Sequence, residues 1–243
     1  MHVYDQRFPV APGARLLPPD ASASDYRALQ QRLGTERTVL VTPSTYGSDN
    51  RCMLQGLAAL GTQARGVAVI DGSESDAQLQ ALHDGGVRGV RLNLSLGVTG
   101  SVDSILPLAR RIAPWGWHLQ LLMASDVLAT LGDVLRSVSV PLVFDHLGRI
   151  APEQAGKHPA HALLLQLMGE GRAWVKLSGG YIVSATHAVD DPALDALAVS
   201  YLRAAPERVL WGSDWPHATA SAGLHPVPDD ACLLYTSPSP RDS

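Results

Sequence analysis

The sequence predicts an α/β chain folded as a (β/α)8 TIM barrel, and three observations carry that prediction. Short apolar runs rich in β-branched residues recur eight times along 243 residues, longer amphipathic stretches separate them, and no Gly-x-Gly-x-x-Gly follows the first run. Alternation of this kind calls for parallel strands, because a parallel neighbour is reached only through a crossover connection. Eight units in about 250 residues is the usual size of a closed barrel, whereas an open doubly wound sheet ordinarily carries the glycine fingerprint.

The runs fall, in order, at 2–4 (HVY), 37–43 (RTVLVTP), 65–71 (RGVAVID), 89–94 (GVRLNL), 117–123 (WHLQLLM), 141–146 (PLVFDH), 173–178 (AWVKLS) and 208–214 (RVLWGSD). Their length suits strands. Helical spacing appears between them in DYRALQQRL (25–33), SDAQLQALHDGG (75–86), SILPLARRI (104–112), ASDVLATLGDVLRSV (124–138) and PALDALAVSYLRAA (192–205). Several of these open on Ser or Asp, whose oxygens can accept from the free amides of a first turn, and close near Gly or Pro.

Composition removes several function classes. With 19 basic against 23 acidic residues, no block of like charge and 46% apolar content, the chain reads as globular and offers no stripe for nucleic acid and no patch for an anionic membrane. The start, MHVYDQRFPV, lacks the basic and apolar segments of a signal peptide, and no apolar run nears the roughly 18 residues of a membrane helix. Cys52 and Cys232 form neither a disulfide framework nor a zinc spacing. These features point to the cytoplasm and to a small-molecule partner.

In such a barrel the chemistry sits at the C-terminal ends of the strands. The stretch VLWGSDWPH (209–217) ends an apolar strand with Asp214, which should therefore face the mouth. Other strands end similarly. His2 lies on the first, Arg91 and Asn93 share a face of the fourth, His146 closes the sixth with Arg149 just beyond, and Lys176 and Ser178 share a face of the seventh. A single strand-end polar residue is as often a cap or a loop tether, but the convergence of several on one rim favours a site. His118 begins its strand and belongs at the other end, in a structural role.

The segments HVYDQRFPVAPGA, TPSTYGSDNR, ARGVAVID, GVRGVRLNL, GWHLQL, VFDHLGR, WVKLSGGY and RVLWGSDWPH occur in the order in which they resemble the amidohydrolase-related family. The closest resemblance is to the branch of 2-pyrone-4,6-dicarboxylate lactonase and D-galactarolactone isomerase, with the opening RFPVAPGA…LLPPDASASDYRALQQRLG nearer the isomerase side. The resemblance implies a distorted barrel that hydrolyses or isomerises a lactone of a small sugar-derived or aromatic-catabolic acid. A metal-dependent decarboxylase of the same superfamily and an inactive truncated product are the alternatives. The family opens with His-x-His, of which His2 matches only the second, and its eighth helix gives way after PDDA to CLLYTSPSPRDS. The expectation is thus a domain over 1–230 lacking the eighth helix, with a non-native tail over 231–243.

Chemistry assigns the expected roles. Asp214 would be the general base, while His2 and His146 would donate to the lactone carbonyl as its charge grows. Arg91, with Arg149, would grip the substrate carboxylate through the planar guanidinium. Tyr46, Asn50, Asn93, Lys176, Ser178 and Tyr181 would line the substrate. No metal is favoured, because a guanidinium stands where a bridging ligand would be needed; Zn or Mn at His2, His146 and Asp214 is the competing arrangement.

Overall fold

The computed structural model describes residues 1–95, 100–187 and 191–223. Seven strands form one sheet: β1 (Thr38–Val41), β2 (Ala64–Ala68), β3 (Val87–Asn93), β4 (His118–Leu122), β5 (Leu142–Phe144), β6 (Ala173–Leu177) and β7 (Val209–Trp211). They lie in chain order, and every neighbouring pair is parallel. Each crossover therefore advances by one position in the same direction, which curls the sheet around its own interior.

The helices are α1 (Ala23–Leu33), α2 (Arg51–Leu60), α3 (Asp76–Asp84), α4 (Ile105–Ile112), α5 (Ser125–Ala129), α6 (Gly132–Ser137), α7 (Pro159–Gly169), α8 (Gly180–Val183), α9 (Pro192–Ala204) and α10 (Ala218–Ser221). Capping boxes start α1 and α3, where Ser22 pairs with Asp25 and Ser75 with Gln78. The single helix expected over 124–138 is two. Gly132 begins the second, and Thr130 Oγ1 donates back to the Val127 carbonyl, drawing off an acceptor of the first.

Period-two alternation decides which residues enter the barrel. On β3, Val90 and Leu92 are buried hydrophobics of the main core, while Arg91 lines the central cavity; on β4, Leu119 and Leu121 pack in that core, while His118 and Gln120 line the cavity. Gly89 opens space for the interior: an added Cβ there would stand 2.3 Å from the His118 ring. Val39 on β1 and Leu210 on β7, the two end strands of the row, keep 46% and 39% exposure.

The expected strand at residues 2–4 is corrected. Tyr4 makes an isolated antiparallel bridge with Ala21, so the chain turns away from the sheet there. Before that turn, the Val41 amide donates to the Met1 carbonyl at 2.9 Å and the His2 amide donates to the Trp215 carbonyl at 2.8 Å. Residues 1 and 2 thus bridge the end of β1 and the turn beyond β7. The eighth helix and the tail over 231–243, with Cys232, fall outside the described residues. Among the described residues no helix is long and apolar enough to cross a membrane.

Candidate active site

A cavity of about 560 Å³ runs along the barrel interior. Of the residues selected from sequence, His2, Arg91, His146, Lys176, Ser178 and Asp214 line it. Two buried carboxylates divide it into unlike halves.

Asp145, the residue after β5, is 4% exposed and enclosed by cations. Arg91 Nε donates to Oδ2 at 3.1 Å, Lys176 Nζ lies 3.0 Å from Oδ1, and Gln120 Nε2 reaches both oxygens at 3.0 and 2.9 Å. Burial opposes ionisation of this carboxyl, but Lys176, then Arg91 and His146, outweigh it and hold its pKa far below the ordinary range. Two cations against one anion leave one positive charge over, deep in the barrel. Neither Asp145 nor Gln120 was singled out from sequence. The signal available was alternation: a lone Gln in HLQLL shares the face of His118, and the Asp of VFDH ends its strand as Asp214 does.

Asp214, beyond β7, meets histidines instead. His146 Nε2 lies 3.8 Å from its Oδ1, and the Tyr181 hydroxyl on α8 donates to Oδ2 at 2.8 Å. Burial raises the Asp214 pKa, yet His146 and the hydrogen bond from Tyr181 prevail and lower it, so the carboxylate is anionic at neutral pH. Burial, then the Asp214 charge, pushes the Tyr181 phenol well above its usual range and keeps it a donor.

The backbone that presents these groups is unusual. His146, Leu147, Gly148 and Arg149 have φ values of 50°, 52°, 66° and 57°, and Asp214 has 54°. Left-handed backbone costs a residue with a Cβ roughly 1–2 kcal/mol, and such strain concentrates at functional sites. Two glycines make the turn workable. A Cβ on Gly148 would stand 2.2 Å from Leu164, and one on Gly179 would stand 2.6 Å from His146 Nδ1.

The proton positions on the histidines follow from their partners. His2 Nδ1 lies 2.8 Å from the Val41 carbonyl, which can only accept, so Nδ1 carries the hydrogen. Burial, then the chain's amino group and Arg91, push its pKa down to about 3 against Asp214 and the Val41 bond, so the ring is neutral. Its Nε2 is then a lone pair. In that tautomer His2 presents an acceptor at Nε2, whereas the role expected of it was that of a donor. His146 is arranged the other way: its Nδ1 lies 3.1 Å from Ser178 Oγ, while its Nε2 faces the anionic Asp214. A hydrogen on Nε2, with Ser178 donating to Nδ1, satisfies both contacts.

Five expected contacts lie off the cavity wall, among them Tyr181, which acts on the site through its hydrogen bond to Asp214. Tyr46 accepts from the Asp5 amide at 2.8 Å and donates to the Asp5 carbonyl, tying down the N-terminal loop. Asn50 accepts from Thr42 Oγ1 and the Val69 amide, joining the exits of β1 and β2. Asn93 donates to Ser44 Oγ and accepts from the Ser95 amide. Arg149 is half-buried in the left-handed turn, and burial lowers its pKa. His118 sits at the start of β4, and burial pushes its pKa down to about 4.

Asp145 is committed to Arg91, Lys176 and Gln120, and among the described residues no three His, Cys, Asp or Glu side chains come together to hold a metal ion.

The chain is similar to known proteins over nearly its full length. It is 36% identical to a 2-pyrone-4,6-dicarboxylate hydrolase of Comamonas testosteroni, covering 96% of this chain and 79% of that protein. It is 30% identical to a D-galactarolactone isomerase of Agrobacterium fabrum, covering 96% and 80%. A crystal structure from Agrobacterium tumefaciens, in an apo form, superposes with a TM-score of 0.86 at 28% identity, covering 97% of this chain and 84% of the other. The family model described as Amidohydrolase matches residues 1–242, and the chain belongs to the amidohydrolase family.

Proposed function

We propose that the protein opens the ring of a small lactone that carries a carboxylate, by hydrolysis or by transfer to a hydroxyl of the same molecule. The observation that carries this reading is the pairing, in one cavity, of an anionic base at Asp214 with a positive charge left over at Arg91, Asp145 and Lys176. The first supplies attack on an ester carbonyl; the second attracts an acid. The relatives agree in kind, since one is named for a dicarboxylate and another for a lactone. For the architecture, we read an eight-unit barrel in which residues 1 and 2 stand in the place of a strand.

In this mechanism Arg91 and Lys176 hold the substrate carboxylate, relieving their imbalance around Asp145. His146 Nε2 donates to the lactone carbonyl oxygen. Asp214, oriented by Tyr181, takes a proton from the attacking oxygen and returns it to the departing ring oxygen. Base assistance is worth about 10²- to 10⁴-fold and an oxyanion donor roughly 2.7–4 kcal/mol. Every step uses the chain's own residues; a divalent ion at His2, His146 and Asp214 is not part of this reading.

A panel of carboxylate-bearing lactones, each run beside its methyl ester, tests the proposal. The free acid should be turned over with a kcat/KM at least about 10²-fold higher, the effect of losing a charge-assisted contact. Equal turnover of acid and ester would remove the cationic half from substrate binding.

A further inference from the structure

Resting on the reading that His146 donates to a lactone carbonyl, we infer that Ser178, expected to line the substrate, is a positioning residue that fixes which nitrogen of His146 carries the ring hydrogen. Ser178 Oγ lies 3.1 Å from His146 Nδ1, and both residues are buried. Among the described residues this hydroxyl bonds to nothing else. A buried O–H without an acceptor is costly, so its hydrogen goes to the one acceptor in reach, the lone pair of Nδ1. The ring hydrogen is then on Nε2, the nitrogen 3.8 Å from Asp214 Oδ1. A hydroxyl whose hydrogen is committed in this way has none to offer a substrate carboxylate.

The local backbone builds the pair. Lys176 and Ser178 are two positions apart at the end of β6 and share a face, whereas Asp145 and His146 are adjacent and would point to opposite faces of an extended chain. At His146 the backbone turns left-handed, with φ 50°, and both side chains line the cavity. Lys176 therefore meets Asp145, at 3.0 Å, and Ser178 meets His146. The space they use exists because two neighbours lack a side chain. A Cβ on Gly179 would crowd the Nδ1 edge of the ring, and one on Gly212 would stand 3.1 Å from Ser178 Cβ. His2 shows the alternative: its Nδ1 faces a carbonyl, which can only accept, and the hydrogen moves to the opposite nitrogen from that of His146.

Ser178→Ala removes the donor and lets Nδ1 take the hydrogen, which leaves a lone pair on Nε2 in that fraction of the molecules. Its kcat should fall about tenfold with KM within about threefold, an effect of the size of one hydrogen bond. Ser178→Thr keeps the hydroxyl and should stay within about threefold of the parent in both constants. Nitrogen-15 NMR of the histidines at mildly alkaline pH should show a hydrogen-free Nδ1 on His146 in the parent and the threonine variant, and a population with hydrogen on Nδ1 in the alanine variant. A hydrogen on Nδ1 in the parent, or an unchanged His146 ring in Ser178→Ala, would overturn the inference. So would a KM raised about tenfold at unchanged kcat, which would make Ser178 a substrate contact. An acyl group found on Ser178 by mass spectrometry of the full chain, quenched during turnover, would overturn it too, by making the serine a nucleophile. If no carboxylate-bearing lactone is opened, the lactone reading fails, while the spectra, which need no turnover, still decide the tautomer.

Discussion

Asp145 and Asp214 are both buried carboxylates beyond strand ends, both held anionic, yet their surroundings differ in kind. Asp145 is saturated by Arg91, Lys176 and Gln120, which donate to both its oxygens. Among the described residues Asp214 has one firm donor, Tyr181, and it faces a histidine at 3.8 Å, too far for a hydrogen bond. A carboxylate with all its lone pairs engaged organises its neighbours and cannot readily accept a proton; one with a free oxygen beside a cavity can. The difference between an anchor and a base lies in that remaining capacity, not in charge.

The contrast can be broken at several points. Asp214→Asn should lower kcat by about 10³-fold with the fold intact, because the amide keeps the shape but cannot take a proton. Catalysis within threefold of the parent would remove Asp214 from the role of base. Asp145→Asn should act on stability first, costing about 3–5 kcal/mol in urea unfolding, since it leaves Arg91 and Lys176 as buried charges without their counterion. An unchanged midpoint would mean that the cations relax into solvent.

Acid should separate the two halves less sharply. Asp145, Asp214, His2 and His118 all have folded pKa values below their unfolded ones. Groups of this kind contribute stability that is present above the unfolded pKa and lost as pH falls toward the folded one. Loss should therefore begin below about pH 6.5 as the histidines of the unfolded chain take up protons, and deepen below about pH 4 with the carboxylates. His118, lowered to about 4, accounts for on the order of 3 kcal/mol of this. His118→Gln should flatten the slope of stability between pH 6.5 and 4; the parent slope in the variant would show that this ring is hydrated. Tyr181→Phe is the mildest probe. It should cost about tenfold in kcat, with little change in KM, by freeing the second oxygen of Asp214.

Much of this arrangement was legible because strands alternate. Arg91, Lys176 and Ser178 sit on the cavity face that their spacing assigned, and seven of the apolar runs hold strands of the sheet. What escaped was decided by tertiary partners. HVY has strand composition, yet Tyr4 finds Ala21 instead of a place in the sheet. Nothing in the letters of Tyr46 or Asn50 distinguishes a substrate contact from a loop tether, since both uses need the same donors and acceptors. The proton on His2 depends on the Val41 carbonyl 39 positions away, a relation no local pattern encodes.

The left-handed turn at His146–Arg149 has a consequence for anyone who would improve the protein by selection. Thermostability screens favour residues that fit the backbone they occupy, and a non-glycine residue at φ 57° does not. Arg149→Gly should therefore emerge early, raising stability by about 1 kcal/mol. If the turnover of anionic lactones survives that change, Arg149 contacts no substrate; if it collapses, heat resistance and catalysis compete for the same four residues, and a library ranked on melting temperature alone would discard its own active site.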